Sequence, residues 1–151
     1  MGILVVLEED LHLSLRNSNI ELLSLCVYGD GTKVNRVLES YFESNGKHLS
    51  GCLIDNDLVG LIGIEMMSES AARLTHISVS LSQQKQGMGR AMIAETLSHF
   101  DLQSLEAETD QEAVGFYRSL GFAEHSLGEK YPGVERFRCV IVKGSGTEVN
   151  G

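Results

Sequence analysis

The sequence predicts an α/β fold built on a mixed, largely antiparallel sheet flanked by helices. Three observations predict it. Apolar residues keep helical spacing from about residue 18 to 46, switch to short β-branched runs from 48 to 80, and return to helical spacing near 87. Turn signals separate three of those runs in immediate succession, which is the pattern of an antiparallel meander. Helix and strand patterns then alternate to the end of the chain.

Each element has its own signal. "ILVVL" (3–7) is a short strand. "SNIELLSLCVYGDG" opens on Ser18-x-x-Glu21, the spacing of a capping box, and stops at Gly29. "KVNRVLESYFESNG" carries Val34, Val37, Leu38, Tyr41 and Phe42 on one helical stripe and ends at Asn45-Gly46. "HLSGCLID", "DLVGLIGIEMM" and "ARLTHISVS" are the three strands, parted at Asp55-Asn56 and Ser68–Ser70. A helix follows over 87–100, with Ile93, Leu97 and Phe100 on its apolar face, and then a strand, "LQSLEAE". The spacing predicts a second helix over 110–120, closed by Gly121 as a left-handed cap. Strands around 122–127 and 135–142 complete a single domain over 1–143, and 144–151 forms a polar, glycine-rich tail.

Charge and composition narrow the function. Twelve Lys and Arg against 21 Asp and Glu give a formal net charge of -9. That field repels phosphate backbones and attracts cations, so nucleic acid is not an expected partner. No apolar run has the length of a membrane span, so no membrane partner is expected. The start "MGILVVLEED" lacks a basic flank and a cleavage site, and Val6 stands where myristoylation needs Ser or Thr. The expected compartment is the cytoplasm. Cys26, Cys52 and Cys139 have neither metal-ligand nor redox spacing, which points to buried, inert thiols and to no metal site.

The chemistry centres on "QQKQGMGR" (83–90), where a strand turns into a helix. The first amides of a helix have no carbonyl partner, and the macrodipole leaves partial positive charge there. Gly87 and Gly89 without Cβ atoms would let an anion reach several N–H groups at once, while Gln84, Lys85, Gln86 and Arg90 add donors and charge. This is a cradle for phosphate or pyrophosphate. It lacks the GxxxxGK[ST] of a P-loop, and Met92 stands where a dinucleotide fingerprint needs a third small residue. The alternative is that the glycines only permit close packing of the helix on the sheet, in an unrelated α/β domain.

The stretch Gln84-x-x-Gly87-x-Gly89, preceded by "ISV" (77–79), resembles the acyl-CoA signature of the GCN5-related N-acetyltransferase (GNAT) superfamily. "ETDQEAVGFYRSLGF" (108–122) is similar to that family's second signature, an Ala-x-x-Phe-Tyr helix ending in a Leu-Gly-Phe corner. The resemblance implies the acyl-CoA N-acyltransferase fold, with strands 71–80 and 103–108 splayed around pantetheine. It implies that backbone groups of Ile77, Ser78 and Val79 bind the pantetheine of acetyl-CoA. Amides around Gln84, Lys85, Gln86, Gly87, Met88, Gly89 and Arg90 would hold its pyrophosphate.

The resemblance further implies transfer of an acetyl group to an amine by direct attack in a ternary complex. The Val79 N–H would polarise the thioester carbonyl, and Tyr117 would be the general acid that protonates the leaving thiolate. Packing on the helix face of Ala113, Phe116 and Leu120 is the alternative role for Tyr117. Asp110 stands where the family often has Asn against the pantetheine arm. It also suits the first turn of a helix, and Thr109-x-x-Glu112 has capping-box spacing. Glu65, His76, Glu106, Glu108 or a water chain are the alternatives for the general base. Strand alternation puts His76 on the face opposite Ile77 and Val79. "LGEKYPGVERFRC" (127–139) reads as a turn between two strands or as a substrate loop, with Glu129, Tyr131, Glu135 and Arg136 around Pro132. The acceptor is a small-molecule or peptide amine, and the family's frequent dimers make a homodimer the candidate assembly. The competing function is a catalytically silent CoA-binding sensor or interaction module.

Overall fold

The computed structural model describes residues 2–8, 15–27 and 29–143, so the tail expected at 144–151 lies outside the described residues. In chain order the elements are β1 (Ile3–Val6), α1 (Arg16–Leu23), α2 (Gly31–Glu43), β2 (Lys47–Ile54), β3 (Asp57–Met66), β4 (Ala71–Val79), α3 (Met88–His99), β5 (Ser104–Asp110), α4 (Val114–Ser119), β6 (Ala123–Tyr131) and β7 (Val134–Val142). The seven strands form one sheet in the order β1-β2-β3-β4-β5-β7-β6. β4 and β5 run parallel, and the β1–β2, β2–β3, β5–β7 and β6–β7 pairs are antiparallel. The sheet is mixed and largely antiparallel, as the sequence predicts. The chain divides into two compact units, one of Met1–Met66 with Leu74–Glu95 and the other of Met67–Arg73 with Thr96–Gly151.

In the first unit, α2 starts where the Asp30 carboxylate accepts a hydrogen bond from the Lys33 N–H at 3.1 Å. Its stripe of Val34, Leu38 and Tyr41 joins Leu7, Leu22, Leu23, Leu49, Leu58 and Leu61 in the core. Asp55 and Asn56, at φ 52° and 70°, make the two-residue turn that sets β2 against β3 with Ile54 opposite Asp57. Two glycines on β3 make room for larger side chains. A Cβ at Gly60 would come within 2.9 Å of the Met92 sulfur on α3, and one at Gly63 would collide with the phenol of Tyr41.

Three expectations fail here. The Ser18–Glu21 capping box does not form, because α1 already begins at Arg16 and places Ser18 inside the helix. Arg16 donates to Asn35 on α2 at 2.6 Å, and Leu22 and Leu23 are buried, so packing on α2 sets the start of α1. The helix also ends at Leu23, not at Gly29, and Cys26 sits in the turn beyond it as an exposed residue, while Cys52 and Cys139 are buried. Although the residue is exposed, its sulfur lies among packed atoms. Burial pushes the thiol up to about 11, against a lowering hydrogen bond from the Ile77 backbone.

In the second unit, Ala71–Arg73 of β4 pair with Ser104–Glu106 of β5. β5 pairs with β7 from Ser104↔Val142 to Asp110↔Arg136. Ala72, Leu97, Leu102, Leu105, Ala107, Val114, Leu120, Phe122, Cys139 and Ile141 are its buried apolar residues among those described. The helix expected over 110–120 is shorter, Val114–Ser119, because the β7 ladder runs through Asp110 and keeps that backbone extended. The Thr109–Glu112 capping box is therefore absent, with Thr109 buried on β5 opposite Phe137. β6 runs on to Tyr131, so the 127–139 segment is a hairpin whose Pro132-Gly133 turn has Gly133 at φ 78°. The Glu129 carboxylate closes that turn by accepting from the Gly133 N–H at 2.7 Å.

Candidate functional site

β4 loses its alternation midway. Ala72 and Leu74 are buried in phase, and then the adjacent pair Ile77 and Ser78 are both buried. Thr75 and His76, also adjacent, both reach the Tyr41 hydroxyl, Thr75 Oγ1 at 2.5 Å and His76 Nδ1 in a short contact. Regular strand neighbours point to opposite faces, so the chain shifts phase at this step. Past the shift, the Ser78 hydroxyl donates to the Leu22 carbonyl at 2.6 Å, and the Ser80 N–H donates to the Val59 carbonyl at 2.8 Å. The Ile77–Val79 segment is thereby tied to both α1 and β3.

The turn into α3 follows at once. A 3₁₀ turn over Leu81–Gln83 leads to Lys85 at φ 64° and Gly87 at φ 80°. Gln84 Nε2 donates to the Val79 carbonyl at 3.0 Å and Gln86 Nε2 to the Ser82 carbonyl at 3.4 Å, so both side chains brace the turn. The first helical bond runs from the Ala91 N–H to the Gly87 carbonyl at 3.0 Å. The Gly87, Met88 and Gly89 amides thus precede the carbonyl ladder. A Cβ at Gly87 would meet nothing within 4 Å. Close packing does not explain this glycine; the glycine that admits α3 is Gly60, under Met92. Gly87 serves the positive φ and leaves the space over the helix start open, with Lys85 and Arg90 exposed around it. An anionic diphosphate fits this arrangement of amides, cations and open backbone.

Polar and ionisable groups also gather behind β4, where Lys47 on β2 lies opposite Glu65 on β3. Burial raises the Tyr41 phenol well above its ordinary value; the Thr75 hydrogen bond lowers it, and Cys26 and Glu65 raise it further. Burial, and secondarily the Lys47 ammonium, hold the His76 imidazole below its ordinary value. A protonated phenol and a neutral imidazole follow at neutral pH. The phenol has one proton, so it donates in one of its two contacts and accepts in the other. Tyr41 and Thr75 were not singled out by the sequence, where Tyr41 counts only as part of an apolar stripe. The available signal is general: a buried tyrosine hydroxyl needs a partner.

In the second unit, Tyr117 is half-buried on α4, edge-on to Phe116 at 5.4 Å and to Phe122 at 5.5 Å. Its backbone is fixed by a Schellman motif. The Gly121 N–H donates to the Arg118 carbonyl at 3.0 Å and the Phe122 N–H to the Tyr117 carbonyl at 3.1 Å, with Gly121 at φ 101°. The Leu-Gly-Phe corner therefore orients the tyrosine ring. Phe116 does not join an apolar helix face as expected but is 47% exposed, because six residues of helix bury only Val114.

Asp110 ends β5, and its Oδ1 accepts from the Ala113 N–H at 3.0 Å, so it caps the turn before α4. Asp110→Ala should lower stability by about 1 kcal/mol, whereas Asp110→Asn, which keeps an acceptor, should unfold nearly with the wild type in thermal melts. Glu106 and Glu108 share a face of β5, where Arg138 (3.0 Å) and Arg136 (3.3 Å) pair with them. In the hairpin, Glu135 accepts from the Ser126 hydroxyl. Among the described residues no group of three or more His, Cys, Asp or Glu could hold a metal, and no helix is long and apolar enough to cross a membrane.

Known proteins share this architecture. An uncharacterized N-acetyltransferase from the lysA 3′ region of Bacillus methanolicus is 30% identical over 64 residues, 42% of this chain and 53% of that protein. The chain thus spans about half the length of that relative. An aminoglycoside 6′-N-acetyltransferase complexed with coenzyme A superposes with a TM-score of 0.74 at 15% identity, over 93% of this chain and 96% of the other. A mutant form of the spermidine/spermine N-acetyltransferase from Vibrio cholerae superposes with a TM-score of 0.70 at 17% identity, over the whole of both chains. The acetyltransferase (GNAT) domain model matches residues 31–136, from the start of α2 into β7, and the chain belongs to the GNAT acetyltransferase family.

Proposed function

We propose that the chain is an acetyl-CoA-dependent N-acetyltransferase acting on a small-molecule or peptide amine, with residues 1–143 as one catalytic domain. The observation that carries this reading is the cradle. An open glycine at φ 80° lies at the start of α3, directly after a β4 segment that shifts phase, in a chain of the GNAT family. In this reading the amides of Gly87–Arg90 bind the diphosphate, Lys85 and Arg90 supply charge, and Ile77–Val79 lie along the pantetheine.

The amine nitrogen attacks the thioester carbonyl carbon, which the Val79 N–H polarises. The C–N bond forms and the C–S bond breaks. Tyr117 gives its phenolic proton to the departing thiolate, and the proton lost by the amine leaves through water, from which Tyr117 is reprotonated. The products are an acetylated amine and the free thiol of coenzyme A. The net charge of -9 suits a cationic acceptor and disfavours nucleic acid. The solved neighbours named above act on an aminoglycoside and on spermidine or spermine, so polyamines and aminoglycosides head an acceptor panel. The cytoplasm and a homodimer belong to the same reading.

A second reading, a catalytically silent CoA-binding module, draws on the ion pairs that occupy Glu106 and Glu108 and leave neither as an evident base. Calorimetric titration with acetyl-CoA, followed by thiol release over an amine panel, separates the two. Micromolar binding with turnover on an amine is expected. Binding without turnover on any amine would favour the silent module, and no binding would remove both readings.

A further inference from the structure

We propose that Tyr41 is a positioning residue for the acyl donor, holding the phase shift of β4 so that the backbone of Ile77–Val79 stays in register to bind it. The inference rests on the acetyltransferase reading. It begins from an anomaly of position: Tyr41 belongs to α2, an apolar-faced helix, yet its hydroxyl is spent wholly on β4. Thr75 and His76 are the two residues at which alternation fails, and one oxygen holds both.

The rest of the unit is built to admit this contact. Gly63 on β3 has no Cβ where one would strike the Tyr41 oxygen and ring. Beyond the shift, Ser78 and Ser80 anchor the strand to the Leu22 and Val59 carbonyls. Gln84 then ties the Val79 carbonyl to the cradle turn. Tyr41 is thus the first of a series of side-chain and backbone anchors that run from the phase shift to the start of α3. A strand with an extra residue can return to regular alternation by moving one residue, which would turn the side chains of Ile77 and Val79 and re-aim their N–H and C=O groups. The hydroxyl opposes that slip by making the shifted arrangement the one in which Thr75 and His76 are both satisfied.

The test is calorimetric titration of the full chain with acetyl-CoA, supported by steady-state kinetics. Tyr41→Phe keeps the ring and removes only the hydroxyl; Thr75→Val removes the other partner while keeping the shape. Thr75→Val should weaken acetyl-CoA binding on the order of fivefold to tenfold, the effect of one lost buried hydrogen bond, and Tyr41→Phe, which loses both contacts, by at least as much. The acetyl-CoA KM should rise while the amine KM and kcat do not. Thr75→Ser should regain the affinity that Thr75→Val loses. Wild-type affinity in both Tyr41→Phe and Thr75→Val would overturn the proposal while leaving the acetyltransferase reading intact. So would equal increases in both KM values, which indicate general loosening. Failure of the wild type to bind acetyl-CoA overturns both.

Discussion

Tyr117→Phe is expected to lower kcat by about 100- to 10,000-fold, the span associated with loss of one general acid, while acetyl-CoA affinity stays near that of the wild type. The ring does separate structural work. Its edge-on contacts with Phe116 and Phe122, and the Schellman bonds at Gly121, need no hydroxyl. Phenylalanine preserves the corner and deletes only the O–H. Stopped-flow thiol release and calorimetry on the same preparation check the two halves of the prediction. A variant that turns over at the wild-type rate would reduce Tyr117 to a packing residue of the corner.

Gly87→Val should abolish measurable acetyl-CoA binding, a loss of at least about 100-fold. Two effects act together. Gly87 sits at φ 80°, which a β-branched residue adopts at a cost of about 1–3 kcal/mol. The branched side chain would also stand in the open space over the helix start, against the approach of the diphosphate. Gly87→Asn separates the two effects, because asparagine tolerates positive φ and retains the occlusion. It should melt close to the wild type and still bind poorly. A folded Gly87→Asn or Gly87→Val protein that binds acetyl-CoA as the wild type does would rule out the cradle as the nucleotide site.

The strands were legible because their signals are local. The Asp55-Asn56 turn, the β-branched runs around it and the Gly121 cap are set by φ preferences and by neighbours in sequence. The helix starts were less so. Ser18-x-x-Glu21 and Thr109-x-x-Glu112 both satisfy a capping pattern, but long-range pairing decides: Arg16 with Asn35 in one case, the β5–β7 ladder through Asp110 in the other. The turn into α3 could be read from its glycines, although only the structure separates Gly87, which has open space, from Gly60, which admits a helix. The contact between Tyr41 and β4 could not be read, because it joins residues 34 and 35 positions apart and depends on a missing Cβ on a third element, β3. His76 was expected to follow simple alternation, and the phase shift beside it removes that rule.

The fit of Tyr41 against Gly63 bears on how this sequence can change over time. Any residue larger than glycine at 63 collides with the phenol, so the first step away from Gly63 is closed while tyrosine is kept. The first step away from Tyr41 is open but leaves Thr75 and His76 without their shared partner. The two positions therefore form one heritable unit with a fixed order of replacement, 41 before 63. Among related chains, a bulkier residue at 63 should occur only with a shorter one at 41, and a shorter residue at 41 should occur beside glycine or a larger residue at 63.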